Sequence, residues 1–332
     1  MVRPWYLPDN FTLALAAAVV AASVLPVHGA GARVADALTT LVIALLFFLH
    51  GAKLSREAIL AGIGHWRLHA LVLVATFVLF PVFGLLLKPL LLPLVTPQIY
   101  IGVLYLCVLP ATVQSAIAFT SIARGNVAAA VCSASASTLL GVFVTPLLVN
   151  LMVLPHGSAS SSLDSIQRIL LQLLVPFVAG HWLRPWIGEG LRRHASMVGL
   201  VDRGSILLVI YTAFSAAVIE GLWRQVPLTA LAGLLVVCSV ILALALASTT
   251  WAARRLGFNT ADEVTIVFCG SKKSLASGIP MAKVLFPAQA VGATVLPLML
   301  FHQIQLMVCA VIAQRYAQRA QAVQPAGVTA VD

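Results

Sequence analysis

The sequence predicts an all-α polytopic membrane protein: ten transmembrane helices, in two halves of five with opposite orientation. Three observations predict it. Of 332 residues, 61% are hydrophobic and only 9% are charged, against about 25% charged in a typical soluble domain. Ten apolar runs approach or reach the roughly 17–25 residues needed to cross a bilayer. The Lys and Arg residues between those runs fall mostly on alternate loops, as the positive-inside rule requires.

The runs are 11–27, 34–50, 68–87, 99–122, 127–153, 167–186, 204–220, 228–252, 262–285 and 289–313. The first reads as a retained helix and not a signal peptide, since no small-residue cleavage site leads into a soluble domain. Prolines such as Pro26, Pro97, Pro155 and Pro287 punctuate the run ends, where turns are needed. Placing the N-terminus, the even-numbered loops and the C-terminus on one side gives that side thirteen Lys and Arg residues, from Arg3 to Arg319. The other side holds five: Arg33, Lys88, Arg168, Arg224 and Lys283. Both termini are therefore expected in the cytoplasm, and the expected location is a bacterial inner membrane.

The segment His156–Asp164 is a polar, low-complexity stretch near mid-chain. It divides an N-terminal five-helix repeat (1–155), through a linker (156–166), from a C-terminal five-helix repeat with a short cytoplasmic tail (167–332). Five is odd, so the halves run in opposite senses, the arithmetic of an inverted repeat. The polar tail after Arg315 is expected to be loose.

The net charge of +10 follows from the loop asymmetry. No loop is long enough to fold a basic face, so membrane lipid is an expected partner and nucleic acid is not. The five cysteines all lie in apolar runs without a CxxC pair, as inert buried thiols do. No Asp or Glu falls deep within a run and HExxH is absent, so neither catalytic nor metal-binding residues are expected. The six tryptophans fall near run ends, as an interfacial belt does.

One interruption stands out. The ninth run contains FCGSKKSLASGIP, residues 268–280. Lys272 lies about ten residues in, some 15 Å along a helix. A charge at mid-bilayer costs about 2.5–3.5 kcal/mol on insertion scales. Lys272 and Lys273 point about 100° apart on a helix, so both cannot face lipid cheaply. Lys283, about 31 Å along, reaches the far interface. Gly270, Ser271, Ser274, Ser277, Gly278 and Pro280 suit an unwound helix centre. The fourth run offers a matching break at Pro110, Thr112, Gln114 and Ser115. Two broken helices in corresponding halves point to a transporter's binding site.

FFLHGAKLS (47–55), LPATVQSAIAFTSIARGNVAAAV (109–131) and FCGSKKSLASGIPMAKVLFP (268–287) make the chain resemble the bile acid:sodium symporter family, most closely its SBF-like branch. The resemblance covers nearly the whole chain. It implies two inverted five-helix repeats whose fourth and ninth helices are broken and cross, with a panel and a core moving against each other. It also implies secondary active transport of a small organic anion, often with sodium. Sodium-coupled members resemble Glu-Xaa-Gly-Xaa-Gln-Asn at the ninth-helix crossing; here those positions read Phe268, Cys269, Gly270, Ser271, Lys272 and Lys273. The fourth-helix Ser-Asn becomes Ser115-Ala116. Sodium, like other hard cations, wants oxygen ligands. The expectation is that one lysine takes a cation's place and the other meets the anionic substrate. The lysines make sodium coupling doubtful, so sodium, a proton or no ion stand open as the coupling ion.

The expected substrate- or ion-binding set is Gln114, Ser115, Gly270, Ser271, Lys272, Lys273, Ser274, Thr76, His302 and Gln305. Thr76 matches a position where relatives carry glutamine. His302 and Gln305 share a helix face at i, i+3, and histidine titrates near neutrality. Ser133, Ser135, Ser137 and Thr138 are read as packing residues, and Asn126 as a helix cap. Three other readings stand beside transport: a membrane sensor that keeps the fold, a channel, and an intramembrane hydrolase using a Ser271–Lys272 or Lys273–Ser274 pair.

Overall fold

The computed structural model describes residues 10–53, 65–153 and 170–323, and they are all-helical apart from turns and short connections. The helices longer than five residues are α1 (Asn10–Val24), α2 (Gly29–Lys53), α3 (Trp66–Leu86), α4 (Pro97–Val108), α5 (Val113–Ile122), α6 (Val127–Met152), α7 (Val175–Arg193), α8 (Ala195–Ile219), α9 (Leu228–Arg255), α10 (Thr260–Gly270), α11 (Leu275–Leu285) and α12 (Ala288–Val323). Among the described residues, six are long and apolar enough to cross a membrane, or seven if α4 and α5 count as one span bent by 62°. The protein is an integral membrane protein with several apolar spans.

Length and apolarity alone do not establish the ten crossings expected from sequence. α1 has 15 residues, about 22 Å at helical rise. α7 ends in Arg184, Glu189, Arg192 and Arg193. α10 and α11 are separated by residues 271–274. The linker 156–166 lies outside the described residues.

Side-chain oxygens start several helices. Thr96 accepts from Ile99 N, Asn126 from Ala129 N, Asn259 from Asp262 N and Ser274 from Ser277 N, each satisfying a donor that helix geometry leaves free. Asn126 is thus the cap its sequence position suggests.

α2 lies along α7, α1 along α8, and α4 along α12. The α2–α7 seam depends on two glycines. A Cβ on Gly51 would stand 1.9 Å from the Phe177 carbonyl oxygen, and one on Gly180 1.9 Å from that of Phe48. Small residues let membrane helices approach this closely.

Three helix limits differ from the sequence reading, all through polar residues at helix ends. α2 runs through Lys53 and α8 starts at Ala195, so His50, Lys53, Asp202 and Arg203 sit on helices. α12 is helical to Val323, where a loose tail was expected after Arg315. Tyr316 holds it by donating to Glu263 Oε1 at 2.6 Å, and Glu263 also accepts two bonds from Arg254. Lys283, expected to snorkel, pairs with Asp36 at 2.8 Å.

Candidate functional site

The two breaks are bonded to each other. Ser274 N donates to Pro110 O at 2.9 Å, and Thr112 Oγ1 donates to Lys273 O at 2.7 Å. A helix C-terminus leaves its last carbonyls unpaired, and those of Leu106, Cys107, Val108 and Leu109 at the end of α4 find donors. Lys273 Nζ donates to Cys107 O and Leu109 O, both at 2.8 Å. Thr145 Oγ1 donates to Val108 O at 2.8 Å. On the far side of the break, Ala111 N donates to Ser137 Oγ at 3.0 Å.

The third donor of Lys273 goes to Thr76 O at 2.7 Å. That carbonyl is free for a local reason. Ala75–Leu79 forms a π turn in α3, with Phe80 N bonded to Ala75 O. The next residue, Pro81, has no N–H to give. Lys273 therefore spends its three ammonium donors on three backbone carbonyls, at the negative end of the α4 dipole, with the Phe80 ring centroid 4.2 Å away. It is fully buried.

Lys272 turns the other way. Its Nζ donates to Ser115 O at 3.1 Å and lies 3.7 Å from the Phe119 ring centroid and 5.4 Å from that of Phe268. Aromatic faces stabilise a desolvated ammonium by about 2 kcal/mol or more. It too is fully buried. None of the ion pairs among the described residues includes either lysine.

Gln305 pins the second break. Its Oε1 accepts from Lys273 N and its Nε2 donates to Lys273 O, both at 3.0 Å. The same Nε2 lies 2.8 Å from His302 Nδ1. Since Nε2 is a donor here, His302 Nδ1 is the acceptor.

Beside the crossing lies a cavity of about 480 Å³. Its inner wall is Thr112–Ser115 of α5 with Ser274–Ser277 of α11; Ser135 and Thr138 of α6 and His302 of α12 add polar groups. Leu46, Phe177 and Ile206 are among the apolar wall residues, and His50, Lys53, Asp202 and Arg203 add charged and titratable groups to the lining. Lys53 forms a salt bridge to Asp202 Oδ2. Three buried atoms on this lining have no hydrogen-bond partner: His50 Nδ1, Asp202 Oδ1 and Ser115 Oγ. An open recess of about 600 Å³ lies apart from the crossing, along Leu246, Trp251, Arg254 and Arg255 of α9.

The expected residues thus divide. Gln114, Ser115, Ser274 and His302 line the cavity. Lys272 and Lys273 are not among its lining residues; both are fully buried, with their ammonium groups on backbone carbonyls. Thr76 acts at the crossing through its carbonyl, while its hydroxyl bonds back to Val72 O. Ser271 Oγ bonds back to Val267 O at 2.6 Å. Gly270 is a close-packing position, where a Cβ would stand 3.1 Å from Thr249 Cγ2 and 3.2 Å from Ala75 Cβ. Gln305 organises backbone. Neither serine–lysine pair is joined by a hydrogen bond shown here: Lys273 Nζ donates to three carbonyls and Lys272 Nζ to the carbonyl of Ser115.

Sequence reasoning missed His50, Lys53, Asp202 and Arg203 as lining residues. FFLHGAKLS carried the family resemblance, yet an apolar window ends at its first charge. Ser135 and Thr138, read as packing, also line the cavity.

Residues 9–318 match the model of the SBF-like CPA transporter family. The chain is 66% identical over 319 residues to protein PA2026 of Pseudomonas aeruginosa, covering 96% of each. It is 58% identical over 319 residues to the putative symporter YfeH of Escherichia coli, covering 95% of each. The sodium/bile acid cotransporter 7 of Danio rerio is 30% identical over 279 residues, which is 83% of this chain and 82% of that one. The family match over nearly the whole length, joined to the broken helices and the adjoining cavity, makes this chain a member of the SBF-like CPA transporter family.

Proposed function

We propose that the protein is a secondary active transporter of a small organic anion in which lysine ammonium groups stand where sodium-coupled relatives hold cations. The observation that carries this reading is Lys273 Nζ on the carbonyls of Thr76, Cys107 and Leu109. Three buried backbone oxygens, two of them at the C-terminus of α4, are what a hard cation seeks, and here a covalently attached cation satisfies them. The fixed charges then favour an anion in the neighbouring cavity. Its apolar wall suits an organic body, and its hydroxyls suit a polar head. The names of the cotransporter 7 relatives support a bile acid or similar amphipathic anion as the first substrate to try.

On this reading the helices form two inverted halves of five around the paired breaks. Both termini lie in the cytoplasm of a bacterial inner membrane. Lys53 and Arg203 belong to the basic side of the topology, so the cavity is the inward-facing site. The test is uptake of a radiolabelled bile acid into proteoliposomes. The expected result is saturable uptake that is unchanged when sodium is replaced by choline. Uptake that requires sodium would overturn the reading.

A further inference from the structure

We infer that His50 and Asp202 form a protonation site on the cavity lining, so that a proton accompanies the anion where relatives are named for sodium. The inference rests on the transport reading above, and its evidence is separate from the lysines at the crossing. His50 Nδ1 and Asp202 Oδ1 are both buried and both without a partner, and both residues line one cavity. An unpaired carboxylate oxygen away from water is costly. At the crossing, by contrast, the carbonyls of Leu106 to Leu109 are satisfied. Two orphaned titratable atoms on one cavity point to a proton that comes and goes.

The arrangement gives that proton a consequence. Lys53 lies one turn beyond His50 on α2 and pairs with the second oxygen of Asp202. Arg203 adds a positive charge on α8, its guanidinium 5.9 Å from the Phe11 ring centroid. The cluster thus holds one negative and two positive groups. A proton taken by Asp202 removes the negative charge and releases Lys53. A proton taken by His50 adds a positive charge beside it. Either way the cluster gains one unit of positive charge, which a monoanion cancels. Proton and anion then load together and cross with no net charge added.

The other groups around the pair are few. α12 brings His302, and α7, packed along α2, carries His181 and Arg184. The described part of α1, α5, and the cavity end of α11 bring no titratable side chain, and Cys132 of α6 is off the lining. His302 Nδ1 already accepts from Gln305.

Two measurements on the full chain test the inference. The first compares melting temperatures of purified wild type, His50→Gln and Asp202→Asn between about pH 3 and 8, the range over which carboxylates and histidines change charge. The wild-type-minus-variant difference is expected to shift with pH for at least one of the two. A difference that is flat with pH for both overturns the protonation site, whether or not any anion is transported. The second drives labelled bile acid into sodium-free proteoliposomes with an inward proton gradient. The gradient is expected to stimulate wild type, with that stimulation lost in both variants. Uptake that ignores the gradient overturns the inference and leaves the transport reading standing. A pH-dependent melting difference with no saturable anion uptake keeps the proton site and removes the transport reading.

Discussion

The crossing and the cavity lining both combine lysine with buried oxygen, and they are finished to different degrees. At the crossing Lys273 meets three carbonyls, and Gln305 holds the backbone on both sides. On the lining Lys53 meets one oxygen of Asp202, and three polar atoms have no partner. A buried polar group is normally bonded. On the proposed reading the complete set is structural, and the incomplete set is where a ligand from outside would bind.

That contrast can be broken by removing one side of it at a time. The largest effect is expected from Lys273→Met, which leaves three buried carbonyls without donors. At about 1–3 kcal/mol for each orphaned group, with partial relaxation, it should lower unfolding stability by about 3–5 kcal/mol, the range for breaking a buried charged contact. Lys272→Met loses one carbonyl bond and two ring contacts and should cost about 1–3 kcal/mol. Chemical denaturation in detergent orders the two, and equal losses would show that the carbonyl set at Lys273 has no special weight.

An intermediate effect tests the helix seam that backs the cavity. Gly51→Ala drives a methyl into the Phe177 carbonyl and should cost about 1–3 kcal/mol through overpacking. A neutral Gly51→Ala would contradict the closeness of the α2–α7 seam.

The lining should behave in the opposite way to the crossing, with small stability changes and large functional ones. The Lys53 side chain is 38% exposed, and exposed ion pairs contribute about 0–1 kcal/mol. Lys53→Met should therefore melt close to wild type yet slow anion uptake. The smallest effect is expected from Lys283→Met. It breaks the pair with Asp36, costs about 0–1 kcal/mol, and should alter the balance of cavity orientations by no more than about fivefold. Accessibility of a cysteine introduced into a cysteine-free background on the cavity lining would measure that balance.

Much of the crossing could be read from the chain. Two lysines inside an apolar run could not face lipid, and the glycines, serines and prolines around them marked the breaks. What could not be read is how the lysines are satisfied. Ala75–Leu79 is apolar throughout except Thr76, and nothing in that composition announces a π turn. Pro81 is the one local sign that a carbonyl of α3 goes unpaired, and it speaks of backbone where sequence reasoning looks for side chains. The lining residues escaped for another reason. His50 and Lys53 lie in the last turn of α2, and Asp202 and Arg203 lie in the third turn of α8, just outside the apolar run read from 204, where a search for apolar runs stops. They become a cluster only when α2 and α8 pack together.

The central claim is that the Lys273 ammonium fills a cation's place. The most direct test measures melting temperatures of wild type and Lys273→Ala in sodium, potassium and choline chloride at equal ionic strength. A ligand that binds only the folded state raises its stability by mass action. The account predicts a wild type indifferent to the cation, and a destabilised Lys273→Ala that sodium partly restores through the vacated carbonyls of Thr76, Cys107 and Leu109. Specific stabilisation of wild type by sodium, or a Lys273→Ala protein equally unstable in all three salts, would contradict it.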